Sequence, residues 1–91
     1  MANSRLDQDR AKASAAFGER LRELRDRQKL SQDALAHATD IHPTAIGRME
    51  RGAREPRLTT ILRLAHGLDV TPGELLNDLG EPTKVGQQSS S

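Results

Sequence analysis

Two short helical segments joined by a turn constrain this chain more than any other feature of its sequence. Ser31 is predicted to cap the first segment, because its hydroxyl can accept hydrogen bonds from the unpaired N–H groups of the first helical turn. Asp33 places negative charge at the positive end of the helix dipole. Asp40 tolerates the left-handed conformation that often ends a helix, so the segment is predicted to end at about Thr39.

The second segment also has well-defined ends. Proline has no N–H group and suits the first position of a helix, so Pro43 is predicted to begin the segment, with His42 before it. Gly52 is a candidate for the left-handed residue that follows a helix, which makes Arg51 the last helical residue. Two helices separated by about three residues form a helix-turn-helix.

The composition favours an all-α fold. The chain has 91 residues, enough for one small domain, and contains one Phe, no Trp and no Tyr. Sheets favour aromatic residues, so an aliphatic core suits a helical bundle better. The absence of Cys excludes disulfides and thiolate zinc sites. There is no apolar run long enough for a membrane span and no signal-peptide core, so we expect a soluble, cytoplasmic protein. We also expect no cofactor and no metal.

A longer helix is predicted before this pair. It covers residues 15–28, and apolar positions three and four residues apart extend it back to Asp7. Residues 80–91 contain too few apolar side chains to fold. We therefore divide it into a polar, partly helical N-terminal extension (1–14), a domain (15–79) and a disordered tail (80–91).

Two further helices are predicted after the pair. One covers residues 58–68, and a capping box formed by Thr71 and Glu74 opens a short fifth helix. The leucines near this last helix are Leu75, Leu76 and Leu79. They exceed what a small core needs, so we predict that they form part of a dimer surface; the alternative is that they close the core.

Charge is unevenly distributed along the chain. The net charge is only +1, but residues 1–57 hold 12 Lys and Arg against 9 Asp and Glu, whereas residues 58–91 hold 2 against 4. A net charge of +1 argues weakly against a nucleic-acid binder, but the basic charge lies in the half that contains the helix-turn-helix.

The order of these elements resembles the Cro and CI repressor type of helix-turn-helix, also called the XRE family. The resemblance covers residues 17–79, and its joint order and spacing are more specific than any single fragment. The matching residues are 17–25, Leu30-Ser31-Gln32, Leu35-Ala36, Ile46, Met49-Glu50-Arg51-Gly52, Pro56, Leu64-Ala65, Leu68, Val70-Thr71-Pro72 and Leu75-Leu76.

The resemblance implies a lambda-repressor-like DNA-binding domain whose partner is double-stranded DNA. Such a domain is a five-helix bundle whose third helix enters the major groove of the DNA. It places base contacts at Pro43, Thr44, Gly47 and Arg48. Arg48 has the fork that matches O6 and N7 of guanine, and Thr44 offers a hydroxyl or a methyl group. Pro43 allows apolar contact only. Gly47 replaces a polar residue; it either permits close approach to DNA or reflects drift at a surface position.

Phosphate contacts are implied on both sides of this helix. Gln32 corresponds to the family's phosphate-binding glutamine at the start of the second helix. Arg51, Arg54 and Arg57 recur every third residue across the exit of the third helix, and the guanidinium matches phosphate geometry; a solvated loop is the alternative. His42 is a further candidate.

The resemblance also implies one structural ion pair. Glu50 corresponds to a glutamate that pairs with an arginine of the first helix, which here is Arg25. Such a pair would hold the third helix against the first, and losing one buried partner would be strongly destabilising.

No catalytic arrangement is recognisable. The three His residues lack ligand spacing with carboxylates, and no glycine-rich phosphate loop follows a strand. We therefore predict a DNA-binding transcriptional regulator of the repressor or restriction-modification controller type, not an enzyme, that binds a near-palindromic operator as a homodimer. The alternative is a protein-interaction module, such as the antitoxin of a toxin-antitoxin pair or a coactivator adaptor.

Overall fold

The computed structural model describes residues 4–77 and 79, which form five helices and, within those residues, no strand. The all-α prediction is confirmed. The helices are α1 Ser4–Arg27, α2 Gln32–Thr39, α3 Pro43–Glu50, α4 Leu58–Gly67 and α5 Pro72–Leu75.

The helix ends follow the capping signals in the sequence. Ser31 accepts a hydrogen bond from the Ala34 N–H at 2.9 Å, and Asp40 takes the left-handed conformation with φ 59°. Gly52 also has positive φ, at 75°, and α3 ends one residue earlier than predicted, with Arg51 as its C-cap. The predictions of where the two helices of the pair begin and end are therefore confirmed to within one residue.

The capping box at α5 is present. The Glu74 N–H donates to Thr71 Oγ1 at 3.1 Å, and the Thr71 N–H donates to Glu74 Oε1 at the same distance. These reciprocal bonds satisfy two N–H groups that a helix start leaves unpaired. They explain how a helix of one turn is defined here.

Helix α1 begins well before the position predicted for its main part. It is continuous from Ser4, so residues 4–14 of the predicted extension are helical, and Ser14 is buried. The sequence allows this because no Gly or Pro precedes Gly18 and the stretch contains several alanines, the best helix formers. The tail predicted over residues 80–91 lies outside the described residues.

The core is aliphatic except for one phenylalanine. Its buried side chains are Phe17, Leu21, Leu24, Leu35, Ala36, Ile46, Met49, Leu64, Ala65, Leu68 and Leu75. They come from all five helices, so each helix is held by burial of one apolar face. Among the described residues, no helix combines the length and the hydrophobicity needed to span a bilayer.

Helices α1 and α3 come very close together at Gly18. A Cβ atom at this position would overlap the backbone carbonyl oxygens of Met49 and Glu50. Only glycine therefore permits this crossing, which fixes α3 on the side of α1.

Candidate nucleic-acid interface

Helix α3 has one face in the core and the opposite face in solvent. Ile46 and Met49 are buried, with 0% and 1% of their surfaces exposed. Thr44, Arg48 and Arg51 are exposed. Because residues three and four apart share a side of a helix, these three form one outward stripe, opposite the residues that anchor the helix.

The N-terminus of α3 is capped by His42. Its Nδ1 accepts a hydrogen bond from the Thr44 N–H at 3.1 Å, and Pro43 occupies the first helical position. Because Nδ1 accepts this hydrogen bond, Nε2 is the ring nitrogen left to donate. His42 thus has a structural role that the sequence did not predict, because histidine is not among the preferred N-cap residues.

Arg25 and Glu50 form the ion pair that the resemblance implied. Arg25 Nε donates to Glu50 Oε2 at 2.6 Å, and Nη2 donates to Oε1 at 3.0 Å. The side chains are only 11% and 5% exposed. The remaining Nη1 donates to the Leu30 carbonyl at 2.7 Å, so one guanidinium joins α1, the following turn and α3.

The pair shifts the acid–base equilibria of both groups. Burial raises the pKa of the Glu50 carboxyl, but hydrogen bonds from Arg25 and Gln32, together with the charges of Arg25 and Arg22, more than offset this and hold it below its ordinary value. The hydrogen bond to Glu50 raises the pKa of Arg25, against the opposing effect of burial. Both groups therefore stay charged at neutral pH.

Gln32 lies at the first position of α2, next to this pair. Its side-chain Nε2 donates to Glu50 Oε1 at 2.9 Å, and the residue is half-buried. The amide nitrogen carries a second hydrogen, which leaves it able to donate to one more acceptor. The structure thus connects the predicted phosphate-binding residue to the ion pair.

The arginines that follow α3 are exposed. Arg54 lies in the loop to α4, and Arg57 is the N-cap residue of α4 without a capping side-chain hydrogen bond. Within the described part of the chain, no hydrogen bond or ion pair engages the side chains of Arg48, Arg51, Arg54 or Arg57. Four cations are therefore available on and after α3.

The fold is shared with known proteins. A family model described as helix-turn-helix, HTH_3, matches residues 21–75. The chain belongs to the helix-turn-helix family. The resemblance inferred from the motif residues is confirmed.

Several relatives within the helix-turn-helix family are control proteins. The chain is 37% identical to control protein C.BamHI of Bacillus amyloliquefaciens over 62 residues, which cover 67% of this chain and 76% of the relative. It is 35% identical to control protein C.SmaI of Serratia marcescens over 70 residues, or 77% and 83% of the two chains. Among solved structures, the restriction-modification controller protein C.AhdI from Aeromonas hydrophila superimposes with a TM-score of 0.67 at 45% identity, covering 68% of this chain and 94% of the other.

The helix-turn-helix match includes every residue predicted to contact DNA and both members of the ion pair. It ends at Leu75, before Leu76 and Leu79 of the predicted dimer surface. The prediction is wrong for Leu75, whose side chain is fully buried and closes the core. Leu76 is 38% exposed, and Leu79 is half-buried against the core.

A metal site requires a cluster of ligating side chains. Among the described residues, no group of three or more His, Cys, Asp or Glu side chains is placed to hold a metal ion. The chemistry available on α3 and its surroundings is hydrogen bonding and positive charge.

Proposed function

We propose that this chain is a sequence-specific DNA-binding transcriptional regulator of the restriction-modification controller type, which binds a near-palindromic operator as a homodimer. The observation that carries the proposal is the outward stripe of α3, with Thr44, Arg48 and Arg51 exposed opposite the buried Ile46 and Met49. A helix of this kind fits the major groove, which is about 12 Å wide. The controller proteins among its relatives support the regulatory role.

The residues divide the work of binding between positioning and reading. Arg48 presents the fork that pairs with O6 and N7 of guanine, and Thr44 contacts a neighbouring base edge. Gln32, Arg54 and Arg57 contact phosphates, which set the register of the helix in the groove. Pro43 lies on the helix beside these groups and contributes apolar contact.

His42 adds a phosphate contact to its capping role. With Nδ1 accepting from the Thr44 N–H, the proton on Nε2 is free to be donated to a phosphate oxygen. The same residue then defines the start of α3 and fixes it to the DNA backbone.

A homodimer doubles these contacts. Two copies related by a two-fold axis read half-sites about 34 Å apart, which is one turn of DNA. Leu76 and Leu79 supply apolar surface for this contact beyond the buried Leu75. We infer that such a protein binds DNA in the cytoplasm and does not act as an enzyme.

Selection of bound sites from random-sequence DNA, followed by titration at several salt concentrations, tests this proposal. A dimer that makes about 6 to 8 phosphate contacts gives a slope of log K against log salt of roughly −5 to −7. Arg63→Ala, an exposed arginine of α4 outside the stripe, is the matched control and leaves binding unchanged. Failure to enrich any sequence, or a flat salt response, would refute DNA regulation.

A further inference from the structure

A covered glycine lies on the solvent side of α3. Gly47 is buried although Thr44 and Arg48, three residues before and one after it, are exposed. A Cβ atom at Gly47 would lie 3.2 Å from Arg51 Nη1, 3.7 Å from Gln32 Oε1 and 3.9 Å from Gln32 Nε2. Two polar side chains, and not the core, therefore cover this glycine.

The position of Arg51 follows from helix geometry. Helical side chains lean toward the N-terminus and over the residue one turn earlier, which for Arg51 is Gly47. The guanidinium thus lies back along α3 and not outward along the loop that follows. The guanidinium occupies space next to Gly47 that any side chain at position 47 would also need.

Gln32 forms the other wall of this space, and it is held in place. Its Nε2 donates to Glu50 Oε1, which also accepts from Arg25. The buried ion pair thereby fixes the amide beside Gly47, which leaves the arginine as the movable partner of the two.

We propose that Gly47 is a positioning residue, which seats the guanidinium of Arg51 on the outward stripe of α3 so that Arg51 reads a base beside the one that Arg48 reads. The inference rests on the proposed DNA binding and changes the role of Arg51 from a phosphate contact to a specificity-determining residue. Its target is guanine, because the planar fork matches O6 and N7. Lysine lacks this fork.

Gly47→Ala separates this role from the stability of the fold. The added methyl would lie 3.2 Å from Arg51 Nη1, which is closer than ordinary van der Waals contact. The end of an arginine side chain is flexible, so it moves aside. Alanine also favours a helix more than glycine does, so the melting temperature should rise by roughly 4 to 8 °C. DNA discrimination should fall while stability increases, which a merely structural glycine does not produce.

The decisive experiment is a double-mutant cycle on the selected operator. Dissociation constants are measured for the wild type, Gly47→Ala, Arg51→Ala and the double variant, on the operator and its single-base-pair variants. We expect Arg51→Ala and Arg51→Lys to abolish preference at one guanine, a loss of about 5- to 150-fold. Gly47→Ala should reduce the same preference and have no further effect in the Arg51→Ala background.

Each other outcome overturns the inference. If Arg51→Ala weakens binding to all DNA sequences equally and Arg51→Lys retains binding, Arg51 contacts a phosphate and does not read a base. An equal effect of Gly47→Ala with and without Arg51 would make the glycine a site of direct approach to DNA. Gly73→Ala, which adds a methyl to an exposed helical glycine of α5, is the control and leaves discrimination unchanged.

The same measurements distinguish failure of the proposed DNA binding from failure of the role assigned to Gly47 and Arg51. Absence of any sequence preference in the wild type would refute both. A wild type that prefers its operator and loses preference on Arg48→Ala, but not on Arg51→Ala, would refute only the role assigned to Gly47 and Arg51.

Discussion

At the scale of single residues, one buried ion pair determines how α3 is presented. Arg25 and Glu50 are almost fully buried and share two hydrogen bonds, and Gln32 donates a third to the same carboxylate. A buried pair gains little net stability over apolar packing, but removal of one partner is costly because the other charge remains buried. The pair therefore acts mainly by fixing the position of α3 relative to α1.

This pair predicts a specific dependence of stability on pH. The pKa of Glu50 is lowered in the folded state, so its contribution is fully present above the ordinary value of 4.5 and is lost as pH falls through the folded pKa. At pH 7, Glu50→Gln should lower the free energy of unfolding by roughly 3 kcal/mol. Chemical denaturation from pH 7 to pH 3 should show this difference shrinking below pH 4.5.

The control is Glu19→Gln, which alters an exposed carboxylate of α1. Its effect on the free energy of unfolding should be small at every pH. A Glu50→Gln deficit that is the same at pH 7 and pH 3 would contradict the assigned role of the ion pair.

At the scale of elements, helix ends were predictable and side-chain placement was not. Ser31, Asp40 and Gly52 mark helix ends by local chemistry, which needs no knowledge of the rest of the fold. The cap formed by His42 and the cover over Gly47 depend on rotamers and on neighbouring helices, so sequence pattern does not reveal them.

The hydrogen bond accepted by His42 should make the stability of the protein depend on which residue stands at position 42. His42→Ala removes the acceptor for the Thr44 N–H and should lower the free energy of unfolding by about 1 kcal/mol. His42→Asn supplies a preferred capping side chain and should restore most of it. Equal stability of the two variants in urea denaturation would show that the hydrogen bond contributes nothing.

At the scale of the whole molecule, the fold was predictable because several independent signals agree. Capping residues, apolar spacing and the presence of only one aromatic residue all favour a helical bundle. The assignment of Leu75 failed because α5 has a single turn, and spacing within one turn does not define which side faces the core. Only packing against α1 and α4 separates the buried Leu75 from the exposed Leu76.

The proposed dimer predicts different effects for two exposed leucines. Leu76→Glu places a charge in the proposed contact and should shift the protein toward monomer in sedimentation equilibrium, with weaker operator binding. Leu58→Glu, on α4 and 71% exposed, is the matched control and should leave the molecular mass unchanged. A Leu76→Glu variant that remains a dimer with full affinity would remove Leu76 from the interface.

We propose that the outward stripe of α3 reads DNA sequence, and replacement of Arg48 removes the side chain best suited to do so. The measurement is the dissociation constant of the wild type and Arg48→Ala for the selected operator and for each of its single-base-pair variants. Arg48→Ala should lose discrimination at one guanine in each half-site by about 5- to 150-fold and retain it elsewhere. Undiminished preference at every base pair in the Arg48→Ala variant would contradict it.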